Sequence, residues 1–209
     1  MNNTVTPQCQ PGYRGAIIAI ILCLIWMVIT GVIGILGLYE DPRNGSHLSV
    51  LITVLIPTVF FALLFIFFPA IRRWTKQLNL AMLTLPHAWR TVGFTFLVGW
   101  YYGILPAGFA APAGFGDFII GIAAPFIAVA LWLQWSGATH AAVWFHILGM
   151  TDLFFALLTG MTGFGVPDEQ MTTIDPMTTF PLVIIPTVFV PLLFMAHVMA
   201  LTQISMNRK

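Results

Sequence analysis

Along this chain the polar residues do not alternate with apolar ones but are swept to the ends of long apolar runs. No strand-like alternation is present, which argues against a transmembrane barrel. A helix needs about 20 predominantly apolar residues to cross a bilayer, and six stretches qualify: 15–38, 48–70, 88–106, 115–135, 138–161 and 180–203. Pro57 and Pro69 interrupt the second, as membrane helices tolerate. Pro181, Pro186 and Pro191 recur every five residues in the sixth, which predicts a bend there. The segment Gly103 to Gly116, rich in Gly, Ala and Pro, reads as a tight hairpin or a broken helix between the third and fourth spans. The expected fold is an all-α bundle of six transmembrane helices. It forms one domain over residues 15–203, with polar tails at 1–14 and 204–209.

Composition supports this reading. Hydrophobic residues are 59% of the 209, charged residues 7%, and mean hydropathy is +0.94. Soluble domains carry about 25% charge, so this chain cannot cover a water-facing surface. Disordered chains lack the 18 Phe and 7 Trp present here. A net charge of +1 argues against nucleic acid as a partner and leaves the lipid bilayer. The first apolar run lacks a small-residue cleavage site after it, so no signal peptide is read. Cys9 and Cys23 are expected as free thiols. Asn44-Gly45-Ser46 fits a glycosylation acceptor.

Charge then sets orientation. With six spans, seven of the eight basic residues (Arg14, Arg72, Arg73, Lys76, Arg90, Arg208 and Lys209) fall on the side of both termini. Glu40, Asp41, Arg43, Asp168, Glu169 and Asp175 fall on the other. Basic loops are cytoplasmic, so both termini are expected inside. Arg72, Arg73 and Lys76 with Trp74 read as an anchor at the headgroups.

Ionisable residues inside spans are costly and mark function by default. His146 lies roughly 12 Å and His197 roughly 10 Å from the cytoplasmic edge of antiparallel neighbours, at 1.5 Å per residue. His87, Arg90 and His140 fall in the same inner layer. Two histidines facing each other at equal depth can ligate a b-type haem iron. Trp144, Phe145, Phe189 and Phe194 would wall it, and His87 or Arg90 would support it. The leading expectation is therefore a haem protein for electron transfer, to quinone or a redox partner, or for haem handling. The competing reading has His146 and His197 neutral and hydrogen-bonded to neighbouring helices. His140 and His146, six apart, do not share a helix face and make a poor zinc pair.

Asp117 and Asp152 form an outer layer and suggest a small proton- or ion-coupled transporter. Asp152 has a plainer reading as a partner of Arg90, and Asp117 as a helix cap after Gly116. A third reading is a partner subunit whose polar residues only hold helices together. Hydrolytic and nucleotide-binding motifs are absent from the sequence.

Three segments carry a resemblance: Arg90 with Leu105-Pro106 and Phe109 through Asp117; Leu148-Gly149-Met150-Thr151-Asp152-Leu153; and Pro181 through Pro186-Thr187 and Pro191 to His197. They resemble a family of small multi-pass bacterial membrane proteins, mostly uncharacterised. The resemblance implies a bacterial inner membrane and singles out Arg90, Asp117, Asp152 and His197. It implies no activity.

Overall fold

The computed structural model describes residues 13–39, 48–162 and 175–207, and these are helical without strands. Helices α1 (Tyr13–Ile35) and α2 (Leu48–Phe67) come first, then the short charged α3 (Pro69–Gln77). A continuous helical stretch follows: α4 (Leu80–Thr84), a 3-10 helix Leu85–Gly93, and α5 (Phe94–Tyr101). The long α6 (Ala107–Trp132) and α7 (Ala138–Thr162) are next. A 3-10 turn at Asp175–Thr178 and a π turn at Ile185–Phe189 lead into α8 (Val190–Asn207).

Among the described residues, five helices are long and apolar enough to cross a membrane: Ile17–Ile35, Leu48–Phe67, Ala107–Trp132, Ala138–Gly160 and Ile185–Asn207. At 1.5 Å per residue the shortest spans roughly 28 Å, against a hydrocarbon core of about 30 Å. Their outer faces are apolar as well. Leu22, Phe67 and Phe126 are more than half exposed, along with many other large hydrophobic side chains. Acyl chains suit such a surface and water does not.

Two expectations change. The stretch 88–106 is not one long helix, because its first turns are wound as 3-10 helix and its last residues form a turn. The Gly103–Gly116 segment is mostly the start of α6, which begins at Ala107 after an extended Pro106. Its small residues make close packing sites rather than a loop: Ala110, Ala113 and Gly114 are buried, and a Cβ on Gly114 would lie 2.6 Å from Leu97. Small residues at helix interfaces do this in membranes, where tight van der Waals packing replaces the hydrophobic effect. The proline-rich 180–203 stretch departs from a plain α-helix at the π turn that contains Pro186.

Helix α6 is the centre of the bundle, packed against the 3-10 helix, α5 and α7. Helix α8 lies across α7 and α2. Helix α1 is peripheral, tied in by Trp26 Nε1 donating to the carbonyl of Thr187 at 2.9 Å. In α3, Arg73 and Lys76 are exposed, whereas Arg72 donates to the carbonyls of Phe65 and Ile66 at the end of α2. Arg72 is thus a helix cap more than a headgroup anchor. Cys23 is a free, half-buried thiol on α1. Cys9, the 44–46 triplet, the charged residues at 40, 41, 43, 168 and 169, and the C-terminal Arg208 and Lys209 lie outside the described residues.

Candidate functional site

A 3-10 helix turns once every three residues, so positions three apart eclipse. Within Leu85–Gly93 this puts His87, Arg90 and Gly93 in one row, and all three are buried. Thr84, buried at the end of α4, precedes the row by the same interval. An α-helix would rotate each member about 60° from the last. The local winding therefore aims a hydroxyl, an imidazole, a guanidinium and a gap at the same neighbours.

The guanidinium collects the first cluster. Arg90 is 2% exposed. Its Nε donates to Asp117 Oδ1 at 2.6 Å, its Nη2 to Asp152 Oδ2, and its Nη1 to the Gly149 carbonyl at 2.9 Å. Burying a charge is costly unless it is paired and hydrogen-bonded, and here both carboxylates are drawn onto one cation. Glycines make the room: a Cβ at Gly93 would strike Asp117, and one at Gly116 would strike the Asp152 carboxylate. Asp117 lies well inside α6 and is an ion-pair partner, so it does not cap the helix. The carboxylates are also not a layer apart from the inner residues, since Arg90 bridges them to His197.

The second cluster is imidazole. His87, His146 and His197 are each wholly buried. His146 and His197 meet Nδ1 to Nδ1 at 2.8 Å, as matched depth on antiparallel helices predicts. His146 Nε2 lies 3.2 Å from Thr84 Oγ1, and His197 Nε2 lies 3.5 Å from Arg90 Nη1. His87 stacks on His197 with ring centroids 3.9 Å apart, yet among the described residues neither of its nitrogens has a hydrogen-bond partner. One nitrogen from each ring can be chosen so that all three lie within 4.8 Å of one another.

This geometry does not fit a haem held between His146 and His197. A metal–imidazole bond is about 2 Å long, so two axial ligands of one iron sit about 4 Å apart with a macrocycle between them. Their facing nitrogens are 2.8 Å apart and hydrogen-bonded. Of the four expected wall residues only Phe145 packs on the histidines, with its ring 5.1 to 6.1 Å from theirs. Trp144 is 65% exposed, Phe189 stacks on Trp89, and Phe194 lines an apolar cavity against α2. His140 is exposed and takes no part. Three imidazoles that each bring one nitrogen within 4.8 Å of the others can hold a single ion once the His146–His197 hydrogen bond opens, because imidazole is a ligand of zinc, copper, iron and nickel.

Sequence reasoning missed Thr84 and Gly93, and it had Gly116 and Gly149 only as neighbours of Asp117 and Asp152 in the motifs that carry the resemblance. The signal for Thr84 was its three-residue spacing from His87 and Arg90. For the glycines it was small residues within apolar runs. A cavity of about 70 Å³ among Phe96, Phe109, Leu153 and Met177 reaches Asp117. A smaller one of about 20 Å³ touches both Asp117 and Arg90.

A family model described as "Domain of unknown function (DUF8737)" matches residues 47–205, from the start of α2 nearly to the end of α8 and including every residue of both clusters. The chain belongs to that family. No curated protein and no solved structure matches it.

Proposed function

We propose that this DUF8737 protein is an integral membrane protein that binds a transition-metal ion at His87, His146 and His197. One observation carries the reading: His87 is fully buried and, among the described residues, neither of its ring nitrogens has a partner. A neutral imidazole brings one N–H and one lone pair, and each polar group left unmet in a core costs about 1–3 kcal/mol. An ion accepting the lone pair removes part of that cost. Three protein ligands leave a coordination position open, which suits an ion that is exchanged or handed on. Haem b, with electron transfer to quinone, would require the His146 and His197 rings to part, so a bare ion is the preferred occupant.

The test is metal binding to protein purified in detergent. One Zn²⁺ or Co²⁺ per chain is expected, with binding lost in His87→Phe and in His146→Phe. Wild-type protein that binds neither ion defeats the reading. A Soret band in the preparation would restore haem.

A second reading, a proton- or ion-coupled transporter, is favoured by Asp117 lining both cavities while paired to Arg90. Unchanged flux in Asp152→Asn proteoliposomes would remove it. For location we propose a bacterial inner membrane with both termini cytoplasmic. The sixth crossing would be Leu80–Tyr101, roughly 37 Å long by its mixed α and 3-10 rise. Reporter fusions at residues 78 and 104 test this and should report opposite sides.

A further inference from the structure

The hydrogen-bonding limits of arginine fix the proton positions in the histidine cluster. A guanidinium only donates. His197 Nε2, facing Arg90 Nη1 at 3.5 Å, is therefore the acceptor of that pair. A neutral imidazole carries one proton, so His197 holds it on Nδ1 and donates to His146 Nδ1 at 2.8 Å. His146 then carries its own proton on Nε2 and donates to Thr84 Oγ1 at 3.2 Å. The Thr84 hydroxyl donates to the Leu80 carbonyl at 2.8 Å. The chain runs one way, from Arg90 to Leu80, and every lone pair it offers on His146 and His197 is already engaged.

An ion bridging the facing nitrogens needs the lone pairs of both Nδ1 atoms. His146 can supply its own and keep its proton on Nε2 toward Thr84. His197 can supply one only if its proton moves from Nδ1 to Nε2, with no net gain or loss of protons. That new N–H then faces the N–H of Arg90, donor against donor. Arg90 Nη1 must withdraw from His197. At 3.5 Å this is the longest of its four polar contacts among the described residues, and the pairs with Asp117 and Asp152 remain to hold the guanidinium.

We propose that Arg90 is the latch of the metal site: it fixes His197 in the tautomer that refuses an ion, and Asp117 and Asp152 draw it off when an ion binds. Ion occupancy and the Arg90–carboxylate pairs are then reciprocally coupled. A carboxylate made neutral holds the guanidinium less well and also removes negative charge near a dication. Both effects weaken ion binding. Arg90 is here a positioning residue that acts through His197. The inference rests on the metal reading above, and the experiment separates the two.

Zn²⁺ affinity is measured for the detergent-purified full chain and for Asp117→Asn and Asp152→Asn. In parallel, ¹⁵N-histidine NMR follows the tautomer of His197, assigned with His197→Gln. The latch predicts affinity about tenfold weaker in each Asn variant, within the usual range of coupling between sites. It also predicts Nδ1–H for His197 without zinc and Nε2–H with it. Wild-type binding with an unchanged His197 tautomer, or with Asn-variant affinities equal to wild type, overturns the latch and leaves the metal site standing. If an Asn variant does not fold, the tautomer measurement on wild type decides alone. No zinc binding by wild type overturns both.

Discussion

The two buried clusters share a contact and differ in satisfaction. In the ion cluster each carboxylate has a cation, and the guanidinium has two carboxylates and a carbonyl. In the histidine cluster two rings are hydrogen-bonded to each other while the third, equally buried, meets its neighbours among the described residues only through its ring faces and edges. Evidence of ionisable groups in a membrane core does not by itself distinguish structure from ligand binding. The pattern of what is left unpaired does. A closed set of partners holds helices together, and an open one awaits something.

The most severe way to break this comparison is Arg90→Met. It strands the buried carboxylate of Asp117 and the partly buried one of Asp152, and losing one partner of a buried pair costs about 3–5 kcal/mol. Thermal melts in detergent should show the largest loss of stability in the protein. Gly149→Ala should come next, since its Cβ would lie 2.5 Å from His197 Cε1 and 3.1 Å from Arg90 Nη1. Overpacking of this kind costs about 1–3 kcal/mol, and the same variant should weaken zinc binding by displacing a ligand.

His87→Phe sharpens the contrast because its sign is reversed. Removing an unsatisfied buried imidazole should stabilise the metal-free protein by about 1–2 kcal/mol, while zinc-induced stabilisation disappears. A destabilised His87→Phe in metal-free buffer would mean the ring is satisfied and the cluster closed. The smallest effect on zinc is expected for Thr84→Val, which leaves zinc bound. It removes the hydroxyl that pairs with His146 and with the Leu80 carbonyl, and costs about 1–2 kcal/mol because the His146 N–H loses its acceptor. Competition melts with a chelator would measure all four.

Much of the fold was legible because span length and apolarity are set by the bilayer. The fifth predicted span, 138–161, is α7 almost residue for residue. The start of α6 was misread because Gly, Ala and Pro signal loops in water but close helix contacts in lipid. The 3-10 winding of Leu85–Gly93 was invisible, since apolar content does not reveal pitch. In the site, the His146–His197 encounter followed from matched depth on antiparallel helices. Depth also separated Asp117 and Asp152 from the histidines, and there it misled. A long arginine side chain links residues at different levels, and the glycines that admit it have no side chain to announce themselves.

The 3-10 helix can be viewed as a screw thread whose pitch equals the spacing of the parts it carries. One residue inserted between His87 and Arg90 would turn them about 120° out of line, separating the stacked ring from the cation that faces its neighbour. The amino acids at positions 88 and 89 sit off the row and serve packing instead, Ala88 against Ile120, Ala124 and Phe145 and Trp89 against Phe189. The dimension that this segment must keep is a count of residues, three and no other, and an insertion there should silence the site in a protein whose long helices still form.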